Sequence, residues 1–264
     1  MPLVSHPGTK WRYSNATDVL GYLIEVVSGK SLPVFLEDEI FRPLGMEDTA
    51  FYVPERKRSR FATCYTVHGG SGGALDVTAG FRKEGGLVPM ALDECYHMPP
   101  DVPDGGGGLV STLDDYLIFC SMLLEKGALP KASYPKNGLW LSVQPAPRYG
   151  AKAFRKHRLL SRKTVEFMLR NQLQGDLADY GMPVFLNLSW SGIGFGLGFS
   201  VVVDSAKTKG VCSEGECGWG GMASTAFWVD PAEKVACVFL TQLVPSSAYP
   251  FRRQLRTMVN ATLL

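Results

Sequence analysis

The chain has no surplus of charge, no long apolar run and no paired-cysteine motif, and each absence removes a class of function. Its 264 residues carry 27 lysines and arginines against 25 aspartates and glutamates, a formal net charge of +2. So even a balance gives no field able to gather nucleic acid, and the basic clusters Arg56-Lys57-Arg58 and 152–163 read as solvated loop and helix surface. No nucleic-acid partner is expected. No apolar stretch reaches the roughly twenty residues needed to span a bilayer, and the opening residues lack a basic region followed by an apolar one. No membrane segment or signal peptide is therefore expected, and the cytoplasm is the favoured compartment. The six cysteines, Cys64, Cys95, Cys120, Cys212, Cys217 and Cys237, form no C-x-x-C pair and mostly sit in apolar segments, as reduced buried thiols do. Cys212 and Cys217 are spaced to bridge a hairpin, but no bridge is expected. His6, His68, His97 and His157 show no H-x-x-x-H spacing, so neither a metal nor a cofactor is predicted.

What is present is enough chain to bury a substantial core, as one large domain or two lobes. After Asn15, the residues Val19, Tyr22, Leu23, Val26 and Val27 recur at helical spacing, and Gly29 stands where a left-handed cap would close the helix. Ser31 can cap a second helix over 32–41, with Phe35, Leu36 and Ile40 inward and Pro43 and Gly45 ending it. The Gly29-Lys30-Ser31 tripeptide lacks the earlier glycine of a phosphate-binding loop, since position 24 is Ile24. Residues 52–104 are irregular and rich in Gly, Pro and charge, with a short strand-like piece at 61–67, as befits a segment that covers a site. Thr112 and Asp115 open a further helix through Glu125, with Leu113, Leu117, Phe119, Cys120, Met122 and Leu123 as its buried surface. Residues 131–158 read as an insertion, and Ser161 caps a short helix to Arg170.

Beyond Gly175 the period changes. Gly192, Gly194, Gly196 and Gly198 alternate with apolar residues and run into 201–203, which predicts one strand whose bare face lets something pack closely. Further strands are expected at 223–229 and 235–243, with Asp230-Pro231 as the turn, and an amphipathic helix over 250–264 buries Phe251, Leu255 and Val259. The fold class is thus α+β. Residues 1–175 read as a mainly helical lobe with long loops, and residues 176–264 as an antiparallel sheet with the last helix.

The chemistry centres on Tyr13-Ser14-Asn15. In an extended segment residues two apart point to one side, so a phenol and a carboxamide can reach one cavity. Packed aromatic and helix N-cap are the alternative roles for Tyr13 and Asn15. A second glycine-rich segment, Gly215 to Met222, lets backbone N–H groups approach a ligand or simply forms a tight hairpin. Gly69-Gly70-Ser71-Gly72-Gly73 formally matches a G-x-S-x-G elbow with His97 and His157 downstream, but no helical period follows the serine and a flexible loop is expected.

Taken together, Pro7-Gly8 before Tyr13-Ser14-Asn15, Phe41-Arg42-Pro43-Leu44-Gly45-Met46, Gly105 to Thr112, and Gly218-Trp219-Gly220-Gly221 before Phe227-Trp228-Val229-Asp230-Pro231 resemble the serine β-lactamase-like, penicillin-binding-protein-like family. The resemblance is to the branch of class C β-lactamases and related esterases and acyltransferases, and it covers nearly the whole chain. It implies a β-lactamase/transpeptidase-like fold and a small-molecule ester or amide substrate. Tyr13 would be the base or proton shuttle for a serine, with its pKa lowered by a lysine, and Asn15 would orient that lysine and the substrate carbonyl. Trp219, Gly220, Gly221 and Met222 would form the substrate-binding edge, with an N–H of Gly221 or Met222 facing the oxyanion.

The chain departs from the family at two points. The S-x-x-K nucleophile motif that precedes the tyrosine is missing; the sole match, Ser133-Tyr134-Pro135-Lys136, follows it and contains a helix-opposing proline. Where β-lactamases have Lys-Thr-Gly, this chain has Trp219-Gly220-Gly221, without the cation that attracts a β-lactam carboxylate. The expectation is an esterase or acyltransferase present as a fragment, inactive by itself, with a catalytically dead binding or scaffolding domain as the alternative.

Overall fold

A computed structural model describes residues 3–67, 86–90, 93–129, 158–182, 184–185, 188–246 and 248–263. Helix α1 (Ala16–Ser28) starts where the Asn15 carbonyl accepts the amides of Asp18 and Val19, each at 3.1 Å. It ends where Gly29, at φ 69°, turns its N–H back to the Glu25 carbonyl, the cap that the sequence predicts. Glu25 also accepts the Leu32 amide at 2.7 Å, tying α1 to α2 (Leu32–Leu36). The expected second helix does not stop at Phe41. It widens into a π turn at Glu37–Phe41 and runs on as α3 (Arg42–Leu44), closing at Gly45 with φ 75°. Pro43 sits inside this last turn, and its missing amide removes one i→i−4 donor at the point where the ladder shifts.

Strands β1 (Tyr65–Val67) and β2 (Leu87–Pro89) pair antiparallel. Helix α4 (Leu113–Leu124) begins as predicted, the Asp115 amide donating to Thr112 Oγ1 at 3.3 Å. Its buried set differs from the expected one: Leu113 is exposed, whereas Ile118 is in the core and Asp115 is sealed as the acceptor of the Asp48 amide (2.7 Å) and of Thr49 Oγ1 (2.9 Å). Ala128 and Arg158 bridge antiparallel, so the predicted insertion leaves and rejoins the fold at one place; its residues 131–157, Ser133 and His157 included, lie outside the described residues, as do Ser71 and His68. Helix α5 (Arg162–Met168) is capped by Ser161 Oγ, which accepts the Thr164 amide at 3.0 Å.

The carboxy-terminal half is richer in strands than the periodicity indicates. After the two-stranded ribbon of β3 (Val184–Phe185) and β4 (Leu188–Ser189) comes a five-stranded antiparallel sheet. The predicted single strand over 192–203 is a hairpin, β5 (Ile193–Phe195) and β6 (Ser200–Val202), because Gly198 at φ 95° reverses the chain. Its bare glycine face does meet something: a Cβ at Gly194 would strike the Asn171 side chain, and one at Gly196 the Met168 carbonyl. A short helix α6 (Ser205–Thr208) follows, and the segment read as a glycine loop supplies a strand, β7 (Cys217–Gly220). β8 (Ala226–Asp230) and β9 (Val235–Phe239) complete the sheet in the order β5-β6-β7-β8-β9. The apolar run 235–243 does not continue as one strand: β10 (Leu243–Val244) leaves to pair parallel with β1. Helix α4 packs against β8 and β9, and Phe41, Leu44, Met46, Ile118, Met122, Leu123, Val165, Val201 and Val229 form the core between them.

Helix α7 (Phe251–Asn260) closes the chain, held by the ring contact of Phe251 with Phe239 and by Asn260 Nδ2 donating to the Val211 carbonyl. Its expected buried face is only partly covered, with Phe251 exposed. All six cysteines are unbridged, and Cys95 is exposed rather than buried. Among the described residues no single helix is long and apolar enough to cross a membrane.

Candidate active site

The segment carrying Tyr13 is pinned where the sheet begins. Asp176, buried, accepts the amides of Gly192 (2.8 Å) and Asp179 (3.0 Å). Burial works against its charge, but these amides hold its carboxyl below the usual range. The turn so fixed offers the Tyr180 carbonyl to the Trp11 amide at 3.2 Å. Trp11 then packs on Phe195, ring centroids 4.9 Å apart, and brings Tyr13 over the end of β7. There the Tyr13 ring lies nearly parallel to the Trp219 ring, at 13° and 6.3 Å between centroids. Trp190 at 5.4 Å and Phe195, edge-on at 5.4 Å, complete the surround of Trp219.

Two expected site segments, separate in sequence by some two hundred residues, thus meet. Tyr13 remains 58% exposed. Asn15, two residues on, is exposed and makes no side-chain bond to the helix it precedes. The Gly221 amide, one of the two expected oxyanion donors, instead turns into its own hairpin and donates to the Thr225 carbonyl at 3.0 Å. Gly105 to Gly108, the other glycine run, packs against the first turn of α1: a Cβ at Gly105 would collide with the Thr17 carbonyl, and the Gly106 amide donates to Asp18 Oδ1 at 2.7 Å and Asp104 Oδ1 at 2.6 Å.

Arg252 of α7 escaped the sequence reading. Its Nη2 donates to the carbonyls of Gly221 (2.6 Å) and Thr225 (2.8 Å), and its Nε to Thr225 (3.1 Å). Burial lowers its pKa without removing its charge. An arginine on an amphipathic helix reads as solvated surface, and only the tertiary approach of α7 reveals it as the brace of the β7–β8 turn. Cys217, two residues before Trp219 on the same strand, is buried, and burial pushes its thiol up to about 12. That excludes it as a nucleophile near neutral pH.

A groove elsewhere, of about 470 Å3, is lined by Glu37, Arg42, Asp48, Arg56, Lys57 and Arg60 among others. Lys57 and Arg60 are paired there with Asp48, and Arg42 with Glu37 and Asp38, and the groove holds none of the residues around Trp219.

A family model described as Beta-lactamase matches residues 1–259. The chain belongs to the Beta-lactamase family. Protein Rv1367c of Mycobacterium tuberculosis is 30% identical to this Beta-lactamase-family chain over 251 residues, covering 93% of the chain and 52% of the relative. Esterase EstB of Burkholderia gladioli is 27% identical over 240 residues, with coverage of 91% and 51%. The chain therefore spans about half the length of the curated relatives it matches. Among solved structures, simvastatin synthase from Aspergillus terreus superposes with a TM-score of 0.70 at 21% identity, covering 100% of this chain and 57% of that one, a likeness of fold. Two of the matched relatives carry an activity in their names, Esterase EstB and the monacolin J acid methylbutanoyltransferase of Aspergillus terreus, the latter 25% identical over 263 residues.

Proposed function

We propose that this chain carries the substrate-binding edge and proton-transfer group of a serine ester hydrolase or acyltransferase that works through an acyl-enzyme. The observation that supports this most directly is the placement of the Tyr13 ring over Trp219, at the end of the strand that leads into Gly220, Gly221 and Met222. In this reading Tyr13 moves the proton of a serine hydroxyl, and Asn15 orients the substrate carbonyl and the lysine partner. The Met222 amide faces the oxyanion, since the Gly221 amide is committed to Thr225. The serine and its lysine lie outside these residues, consistent with a chain that matches about half of each relative.

Trp219 brings no cation and Gly220 no hydroxyl to the edge where a β-lactam carboxylate would dock. The substrate is accordingly a simple ester rather than a penicillin or cephalosporin. The test is to express the whole reading frame that encodes these residues and compare hydrolysis of p-nitrophenyl butyrate with that of a cephalosporin. Much faster ester cleavage is expected, with a fluorophosphonate-labelled serine in an S-x-x-K motif. Comparable rates on the two substrates would defeat the specificity argument, and absence of a labelled serine would leave a binding domain in place of an enzyme.

A further inference from the structure

Among the described residues, Trp219 has four other rings around it, from the two stretches 11–13 and 190–195. Trp11 stands at 6.2 Å, Tyr13 at 6.3 Å, and Trp190 and Phe195 both at 5.4 Å. Their mutual angles differ: Tyr13 is near-parallel at 13°, Trp190 tilted at 31° and Phe195 perpendicular at 84°. Such a cluster fixes the indole plane from several sides, so little side-chain freedom is left to lose when a ligand arrives.

The cluster is not a sealed core. Each of its members keeps part of its surface accessible, and Tyr13 is 58% exposed. Arg252 is no handle for a carboxylate, because its guanidinium is turned to the Gly221 and Thr225 carbonyls. What the rings themselves offer a substrate is their π-faces and edges.

We propose that the cluster of Trp11, Tyr13, Trp190, Phe195 and Trp219 is a stacking platform that selects esters bearing a flat aromatic group. The proposal rests on the ester-transfer reading of the same site. A planar ring can align parallel to the stacked Tyr13 and Trp219 rings and meet Phe195, whereas a puckered ring of equal apolar area gains only its burial. Shape at constant hydrophobicity is thus the discriminating variable.

The test measures binding without turnover, so that it stands apart from the catalytic reading. The probes are 2-naphthamide and its fully saturated counterpart, decahydro-2-naphthamide, titrated against the protein by ligand-observed NMR. The flat amide should bind about three- to tenfold tighter than the puckered one, the range expected of aromatic pairing beyond area. Trp219→Leu should abolish the preference while retaining binding of the puckered amide. Should that variant fail to fold, Tyr13→Leu, an exposed change, should narrow the preference by itself. Tyr13→Phe should keep the preference while lowering ester turnover, which separates the two readings. A matched pair of N-alkyl naphthamide and N-naphthyl acetamide then places the aromatic group on the acyl or the leaving-group side. Equal affinities for flat and puckered amides, a preference that survives Trp219→Leu, or one lost in Tyr13→Phe would each overturn the proposal.

Discussion

The Arg252 guanidinium fills the space that a side chain at Gly220 would need: a Cβ there would lie 2.7 Å from Arg252 Cζ and 2.8 and 2.9 Å from its two terminal nitrogens. Position 220 is a glycine because an arginine is tied beneath it, and the arginine is tied because three hydrogen bonds hold it to the Gly221 and Thr225 carbonyls. A hydroxyl-bearing residue cannot enter this motif without breaking that brace. Gly220→Thr is expected to destabilise the fold by roughly 1–3 kcal/mol, the cost of leaving charge-assisted bonds unmade. The measurement is a double-mutant cycle in denaturant with Arg252→Gln. Strong non-additivity is expected, and simple addition of the two single effects would show that the pair is not coupled.

Removing one oxygen tests the proton-transfer role. Tyr13→Phe keeps the ring stacked on Trp219 and, being an exposed change, should leave the melting temperature in place. In the protein expressed from its whole reading frame, turnover of p-nitrophenyl butyrate should fall by about a hundredfold to ten-thousandfold. Unchanged turnover would remove Tyr13 from the chemistry and leave it a binding aromatic.

Glu216 gives the sheet a pH dependence. It is 1% exposed, directly ahead of β7, with Oε1 2.5 Å from Arg256 Nη2 in an ion pair without hydrogen-bond geometry. Burial pushes its pKa up to about 7; Arg256 pulls the other way and the charge of Asp230 adds to the rise. A carboxyl that binds its proton more tightly folded than unfolded stabilises the fold at low pH, and this contribution declines as pH rises from about 4.5 to about 7. Stability should therefore fall across that window by at most roughly 3 kcal/mol. Glu216→Gln, a permanently neutral analogue, should flatten that part of the profile. An identical pH slope in the two proteins would assign the effect to other groups.

Local chemistry was legible in the sequence and long-range geometry was not. Gly29, Thr112 and Ser161 mark helix ends because a cap is made within a few residues of itself. The hairpin at Gly198 was hidden because alternating glycines preserve a strand period straight through a reversal. The break between Phe239 and Leu243 was hidden because an apolar run continues while its pairing partner changes from β8 to β1. At the site, Tyr13 and Trp219 were each visible as motif residues, whereas Trp11, Trp190, Phe195 and Arg252 owe their place to segments distant in sequence. Periodicity identified the apolar stripe of α1 correctly but carried no information on what covers it.

That stripe supplies the last prediction. Val19, Tyr22, Leu23, Val26 and Val27, the residues that define α1, are 66%, 68%, 51%, 61% and 80% exposed. Fully burying one such side chain is worth about 1.5–3 kcal/mol, so a surface of five is a large unrealised stabilisation and a site for aggregation. Residues 1–264 expressed alone should bind a hydrophobic dye, unfold at low denaturant and show neither p-nitrophenyl butyrate hydrolysis nor a fluorophosphonate-labelled serine. Double replacement Val26→Lys and Val27→Glu should improve solubility without lowering stability, because neither side chain is packed. A sharp two-state transition with no dye binding would mean that the stripe is satisfied as it stands. Robust turnover would place the nucleophile inside these residues, and the labelled serine, whether Ser71 or Ser133, would identify it.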